Sequence, residues 1–242
     1  MNIQRLSRSH RRRIFGGYNR KVMAYGPIAY WPLWEAAGSV AECLVNPAQN
    51  GTYVGVTLGQ NGIGDGNTAP FFDGTNDYVD CGTATLYGAF KPDIGTALVW
   101  CKVNAAAVWT DGISRQAIFT QYNNINYLML KKDNEDNRAE LLYKADGTTK
   151  PINITSYSNA AWFVMAVTWD KGNDQEKGFI DGVQQGPTQT GLGTWNPANA
   201  IIRFLIGAYN TTPIQAWHGW LAHAALWDRV LSPAAMLDLS TV

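Results

Sequence analysis

The most concentrated acids in the chain are Asp133, Glu135 and Asp136, with Glu140 beyond them. Two carboxylates about 5–5.5 Å apart can divide the acid and nucleophile roles of glycoside cleavage. Here they sit in Lys132-Asp133-Asn134-Glu135-Asp136-Asn137, whose composition is that of a turn, so they read as a solvated hairpin tip. Among the histidines, His10 stands alone, while His218 and His223 are five apart in a strand-like run. That odd spacing predicts opposite strand faces, one ring buried and hydrogen-bonded, the other outward, and no shared metal. Asp73, Asn76 and Asp77 gather hard oxygen donors in one loop, which makes calcium the one candidate ion; the same residue types also build turns unaided. No cofactor is required. Rings and amides in Gly- and Asn-rich loops are candidates for stacking on carbohydrate: Trp109, Tyr122 with Asn123, and Trp195. There is no Gly-x-Ser-x-Gly, phosphate loop or Cys/His zinc pattern, and the reading is non-enzymatic.

The elements that must position these residues are strands. Of 242 residues, 12% are aromatic and only 16% charged, against roughly 25% charged in typical soluble domains. Short apolar runs such as 97–103, 117–120, 127–131, 140–143, 162–169, 178–180, 201–206 and 217–227 alternate with Gly, Pro, Asn and Asp. Asp181-Gly182 marks a tight hairpin, and 128–130 with 140–143 flank a longer one. One short helix is expected over 231–239, with Ser232 as N-cap and Pro233 in its first turn. The pattern is that of a sandwich or barrel of about 215 residues, 27–242, behind a basic extended arm, 1–26.

Charge separates arm from body. Arg5, Arg8, Arg11, Arg12, Arg13, Arg20 and Lys21 face no acid before residue 35, whereas the remainder holds 12 basic and 19 acidic residues. Such an arm suits a tether onto an acidic protein surface. The acidic body disfavours nucleic acid. No signal peptide or membrane-length apolar run is present. Cys43, Cys81 and Cys101, odd in number, fit a reducing compartment.

Several segments, in order, resemble the laminin-G-like branch of the concanavalin A-like lectin/glucanase superfamily. They are Ala29-Tyr30-Trp31-Pro32-Leu33-Trp34-Glu35, Phe72-Asp73-Gly74-Thr75-Asn76-Asp77-Tyr78-Val79, 96–103 with Trp100, Trp162 to Asp170, and Gly178-Phe179-Ile180-Asp181-Gly182. Leu205-Ile206-Gly207, Trp217-His218-Gly219-Trp220-Leu221-Ala222 and 226–232 complete the series, which covers 28–239. The resemblance implies an all-β jelly roll of two antiparallel sheets, with first and last motifs adjoining and Trp31, Trp100, Trp169, Trp220 and Trp227 in the core. Hydrolases of that superfamily carry Glu-x-Asp-x-x-Glu on one strand, an order absent here. Two roles follow as expectations. The first is a virion exterior protein, such as a phage capsid decoration protein, made in the host cytoplasm and held to capsid or other virion proteins through the arm, with homo-oligomers on a symmetric shell. The alternative is a lectin-like module attaching to cell-surface glycans.

Overall fold

The computed structural model describes residues 17–123, 125–195, 202–212 and 214–242, with residues 121–123 described by their backbone alone. The first strands are β1 (Ala29–Trp31), β2 (Val40–Ala41), β3 (Gly51–Val54), β4 (Thr57–Asn61), β5 (Thr68–Asp73) and β6 (Tyr78–Asp80). Next come β7 (Ile94–Val103), β8 (Arg115–Asn123), β9 (Asn126–Lys132), β10 (Ala139–Ala145) and β11 (Thr148–Ile154). The last are β12 (Phe163–Asp170), β13 (Gln175–Ile180), β14 (Val183–Gln189), β15 (Arg203–Ile206) and β16 (His218–Trp227). The α-helices among the described residues are α1 (Gly17–Ala24), α2 (Ala84–Ala89) and α3 (Pro233–Leu239), and Pro47–Gln49 and Ala106–Thr110 form short 3-10 turns.

Among the described residues, two eight-stranded antiparallel sheets stack face to face. One runs β14-β13-β12-β7-β16-β5-β4, with β1 also paired to β16; the other runs β11-β10-β9-β8-β15-β6-β3-β2. The register Ala29↔Leu226 and Trp31↔Ala224 joins the first and last motifs. Between the sheets lies the main core, which includes Trp31, Phe72, Val99, Leu130, Leu141, Met165, Trp169 and Trp217. Burial of such large apolar side chains supplies the principal driving force, about 25 cal/mol per Å². The Asp181-Gly182 hairpin forms, with φ 49° and 76° at its two central residues and Ile180 opposite Val183. Those positive angles match the twist that a two-residue connection needs.

The first sheet is roofed by helices. Tyr18 and Val22 of α1 and Ala235, Met236 and Leu239 of α3 bury against Leu98, Trp100, Ala222, Ala225 and Trp227. Trp100 therefore faces outward under α1 and not into the sandwich, and its Nε1–H donates to the Tyr18 hydroxyl at 2.8 Å. Trp220 departs further from the core expectation: it is half-buried on the same outer face, 4.9 Å from the Phe71 ring and under the Lys102 ammonium. Helix α3 begins as expected, with the Ser232 hydroxyl accepting from Ala235 N–H at 3.2 Å.

Residues 17–26, read from sequence as part of an extended arm, belong instead to the body. Tyr18, Asn19 and Val22 are buried. The Tyr18 hydroxyl donates to the Leu239 carbonyl at 2.5 Å, and Trp227 Nε1–H donates to the Tyr25 carbonyl at 2.9 Å. Helical periodicity wins here because α1 has an apolar face to cover.

One buried acid crosses between the sheets. Glu176 on β13 accepts from the Tyr143 N–H of β10 at 2.9 Å, while its other oxygen has no partner among the described residues. Burial holds this carboxyl well above the ordinary glutamate range. Folding thus favours the protonated form. Below the unfolded glutamate value both states are protonated and nothing is lost. As pH rises through that value the unfolded chain ionises first, so stability falls toward neutral and alkaline pH. Glu176→Gln keeps the acceptor without the charge; it should gain about 1–2 kcal/mol at neutral pH and flatten the decline, as read by denaturant unfolding across pH.

Candidate functional site

The outer face of the second sheet carries a cluster made only of strand and loop residues. Phe119, Met129 and Leu142 are buried, with Tyr127 and Tyr209 partly buried against them. Cross-strand registers explain the layout, because residues two apart share a face. One row places Lys144, Tyr127, Gln121 and Arg203 side by side on β10, β9, β8 and β15. The adjacent row is Pro151, Leu142, Met129, Phe119, Leu205 and Asp80. A third pairs Glu140 with Lys131. The result is an apolar floor flanked by polar side chains.

The floor bears two partly exposed rings. Tyr209 packs on Phe119 with centroids 4.4 Å apart, and Tyr127 lies 6.1 Å from the same ring. The Lys144 ammonium sits 4.8 Å from the Tyr127 ring centre and donates to its hydroxyl at 3.4 Å. Arg203 donates to the Tyr209 carbonyl at 3.3 Å, which fixes the loop that presents this ring. Tyr87 of α2 borders the platform. Burial raises its hydroxyl's pKa, Asp80 adds to the effect, and Arg203 opposes it. Aromatic faces with fixed charged and hydroxyl groups around them can stack on the C–H face of a sugar and hydrogen-bond its hydroxyls.

The sequence signals for this site were partial. Tyr122 and Asn123 lie on β8, next in sequence to Gln121 of the first row, but their side chains fall outside the described residues. Trp109 and Trp195 are corrections: they are 0% and 1% exposed and present no surface. Trp109 donates to the Asn159 carbonyl at 2.8 Å and packs edge-on against Tyr157; Trp195 packs against Phe90 and Tyr143. Tyr127 and Tyr209 were missed. The alternation Tyr127, Met129, Lys131 was visible, but not which face would stay uncovered.

The acidic cluster is also corrected. Asp133 is 1% exposed and accepts from Ser114, Lys131 and Arg138; Glu140 is paired to Lys131 at 3.0 Å. Glu135 and Asp136 retain the exposure expected of a hairpin tip, with Glu135 paired to Arg138 at 2.5 Å. Asp133, Glu135 and Glu140 are thus spent on neighbouring cations. Asp80, the other acid of the platform, lies four strands from Glu140, roughly 19 Å at about 4.8 Å per strand.

Asp73 and Asp77 serve their own loop. Asp77, 3% exposed, accepts from the Asp73 N–H at 2.8 Å, and Asp73 accepts from Thr75 and Asn76 N–H at 2.7 and 3.4 Å. Burial raises the Asp77 carboxyl above its ordinary value, and the nearby Asp73 charge adds to it. Among the described residues no three His, Cys, Asp or Glu side chains converge as metal donors. His218 and His223 do not lie on opposite faces. A register shift between Ala222 and Ala225, with φ 51° at His223, resets the alternation. Both rings then lie on the helix-covered side, where His223 is buried 2.7 Å from the Tyr30 hydroxyl and 3.3 Å from Asp65. His218 is half-buried beside Phe71.

Of the basic residues assigned to partner binding, Arg5, Arg8, Arg11, Arg12 and Arg13 lie outside the described residues. Arg20 is exposed on α1. Lys21 is engaged within the chain, donating to the Asp238 and Thr241 carbonyls at 3.1 and 2.9 Å. Among the described residues no helix is long and apolar enough to cross a membrane.

Comparison with known proteins places this architecture. No curated protein sequence matches the chain. Domain 4 of AbnA, an extracellular GH43 arabinanase from Geobacillus stearothermophilus, solved in complex with arabinotriose, superposes with a TM-score of 0.68 at 16% identity. The match covers 89% of this chain and 98% of that one. Trypanosoma rangeli sialidase in complex with sialic acid gives 0.64 at 13% identity over 88% of this chain, which spans only 32% of the sialidase. The receptor-binding domain of botulinum neurotoxin mosaic serotype C/D gives 0.66 at 11% identity, covering 88% of this chain and 50% of that one. At these identities the likeness is one of fold. A laminin-G-type family model matches residues 72–236, so the chain belongs to the concanavalin A-like lectin/glucanases superfamily.

Proposed function

We propose that the outer face of the second sheet is a carbohydrate-binding surface that recognises oligosaccharide without cleaving it. The observation that carries this is the pair of half-exposed rings, Tyr127 and Tyr209, over a buried Phe119 floor on a face whose apolar cluster no helix among the described residues joins. Lys144 and Arg203 supply polar groups at its edges. A protein of the same fold over nearly its whole length, the arabinanase domain, was solved with arabinotriose, which makes neutral arabino-oligosaccharides the first ligands to test. Non-catalytic binding is supported by the roughly 19 Å between Glu140 and Asp80 and by the pairing of Glu140 with Lys131. The capsid partner expected from the arm has no support in the fold or the comparisons.

Tyr127→Ala should weaken oligosaccharide binding about tenfold, or about 1.4 kcal/mol, on a glycan array followed by titration calorimetry, with unfolding unchanged. Binding indifferent to both Tyr127→Ala and Tyr209→Ala would move the site elsewhere. Release of reducing ends from the bound sugar would overturn the non-catalytic half of the proposal.

A further inference from the structure

On the other sheet, away from this platform, a cavity of about 260 Å³ opens between β12, β13, their connecting turn and the segment leading to α3. Thr168, Asp170, Asn173, Gln175, Lys177 and Val230 line it. The register sets Thr168 opposite Lys177 and Asp170 opposite Gln175, a two-by-two patch of polar side chains. Direct cross-strand neighbours in such a patch are about 5 Å apart and diagonal ones about 7–8 Å. Asp170 and Lys177 stand on the diagonal, and among the described residues no ion pair joins them.

The groups differ in what they have left to offer. Lys177 has no hydrogen-bond or ion-pair partner among the described residues. Thr168 is 2% exposed, and its hydroxyl, at the cavity wall, has no protein partner among them either. Asp170 accepts from the Asn173 N–H at 3.0 Å and from the Asn173 side-chain amide at 2.7 Å, which fixes the carboxylate and leaves further lone pairs open. Gln175 adds an exposed amide able to donate and accept. A cation lacking a partner calls for an anion. The fixed carboxylate nearby disfavours a multiply charged phosphate but accepts readily from hydroxyls. The volume lies below the roughly 300–1,000 Å³ of sites for larger ligands and suits one ring.

We propose that this cavity binds a single carboxylated sugar, with Lys177 taking the carboxylate, Asp170 accepting from ring hydroxyls, and Thr168 and Gln175 bonding the remainder. The site is separate from the oligosaccharide platform, and its ligand is a sugar acid. Titration of the isotopically labelled full chain with D-glucuronate should give saturable NMR shifts at the amides of 168–177, with a dissociation constant in the millimolar range. D-glucose should bind at least tenfold more weakly. Lys177→Gln should weaken glucuronate at least tenfold and abolish the preference over glucose, whereas Tyr127→Ala should leave glucuronate binding unchanged. Four results would overturn the assignment: no saturation, equal affinity for glucose and glucuronate, inorganic phosphate binding as tightly as glucuronate, or Lys177→Gln binding like the parent.

Discussion

Asp111→Ala should destabilise the fold by about 3–5 kcal/mol, because it strands two buried cations. Lys132 is 0% exposed, and its ammonium lies 2.8 Å from one Asp111 oxygen and 3.0 Å from the Ile113 carbonyl. Arg115, 5% exposed, meets the other oxygen through Nε and Nη2, both at 2.7 Å, while Nη1 donates to the Ala216 carbonyl at 2.9 Å. A single carboxylate therefore neutralises two charges at the start of β8 and the end of β9. Burial alone would raise the Asp111 carboxyl, but the hydrogen bonds from Lys132, Ile113 N–H and Arg115 outweigh it and hold the group below the ordinary aspartate value. Because the folded value is depressed, the stabilisation is present above the unfolded value of about 3.9 and is lost as pH falls through the lower folded one. Denaturant unfolding of Asp111→Asn should show a flatter acid limb than the parent. The double variant Asp111→Ala/Lys132→Met should recover part of the loss, since it removes one stranded charge. A loss below about 1 kcal/mol for Asp111→Ala would mean the cations find water instead.

The architecture was legible because its signals are local. Asp181-Gly182 formed its hairpin, and Ser232-Pro233 opened α3. Asp146-Gly147, with φ 49° and 74°, joins β10 to β11 by the same device, an equal signal that the reading passed over. Failures lie where a side chain's face depends on something distant. The reset at His223 has no local marker, so counting by twos put two histidines on opposite faces. Trp100 alternates correctly along β7, yet the apolar surface it meets is α1, more than seventy-five residues upstream. The Tyr18 and Val22 spacing hinted at that helix, but the run of arginines before it dominated the reading. The binding face suffered likewise. Nothing in Tyr127-Leu128-Met129-Leu130-Lys131 says which of its two faces the other sheet will cover.

Trp109→Ala and Trp195→Ala should each cost about 3–5 kcal/mol of stability while leaving the sugar affinity of the folded protein unchanged. Both residues sit in Gly- and Asn-rich stretches that from sequence are the natural home of a ligand-stacking ring. The fold uses them otherwise. Ala106–Thr110 makes a short 3-10 turn that turns Trp109 inward against Tyr157 and Phe163, and its indole N–H is satisfied by the Asn159 carbonyl. Trp195 closes the opposite loop region in an aromatic group with Phe90, Tyr143 and Trp169. Truncation leaves a cavity in a packed interior, where the loss exceeds the transfer energy of the ring because the surroundings collapse only in part. Tyr127→Ala is the control with the opposite signature, since that ring is half-exposed and its loss falls on binding. Thermal unfolding and calorimetry on all three variants separate the two kinds of aromatic. A Trp variant that keeps its stability but loses its sugar would return these loops to the ligand.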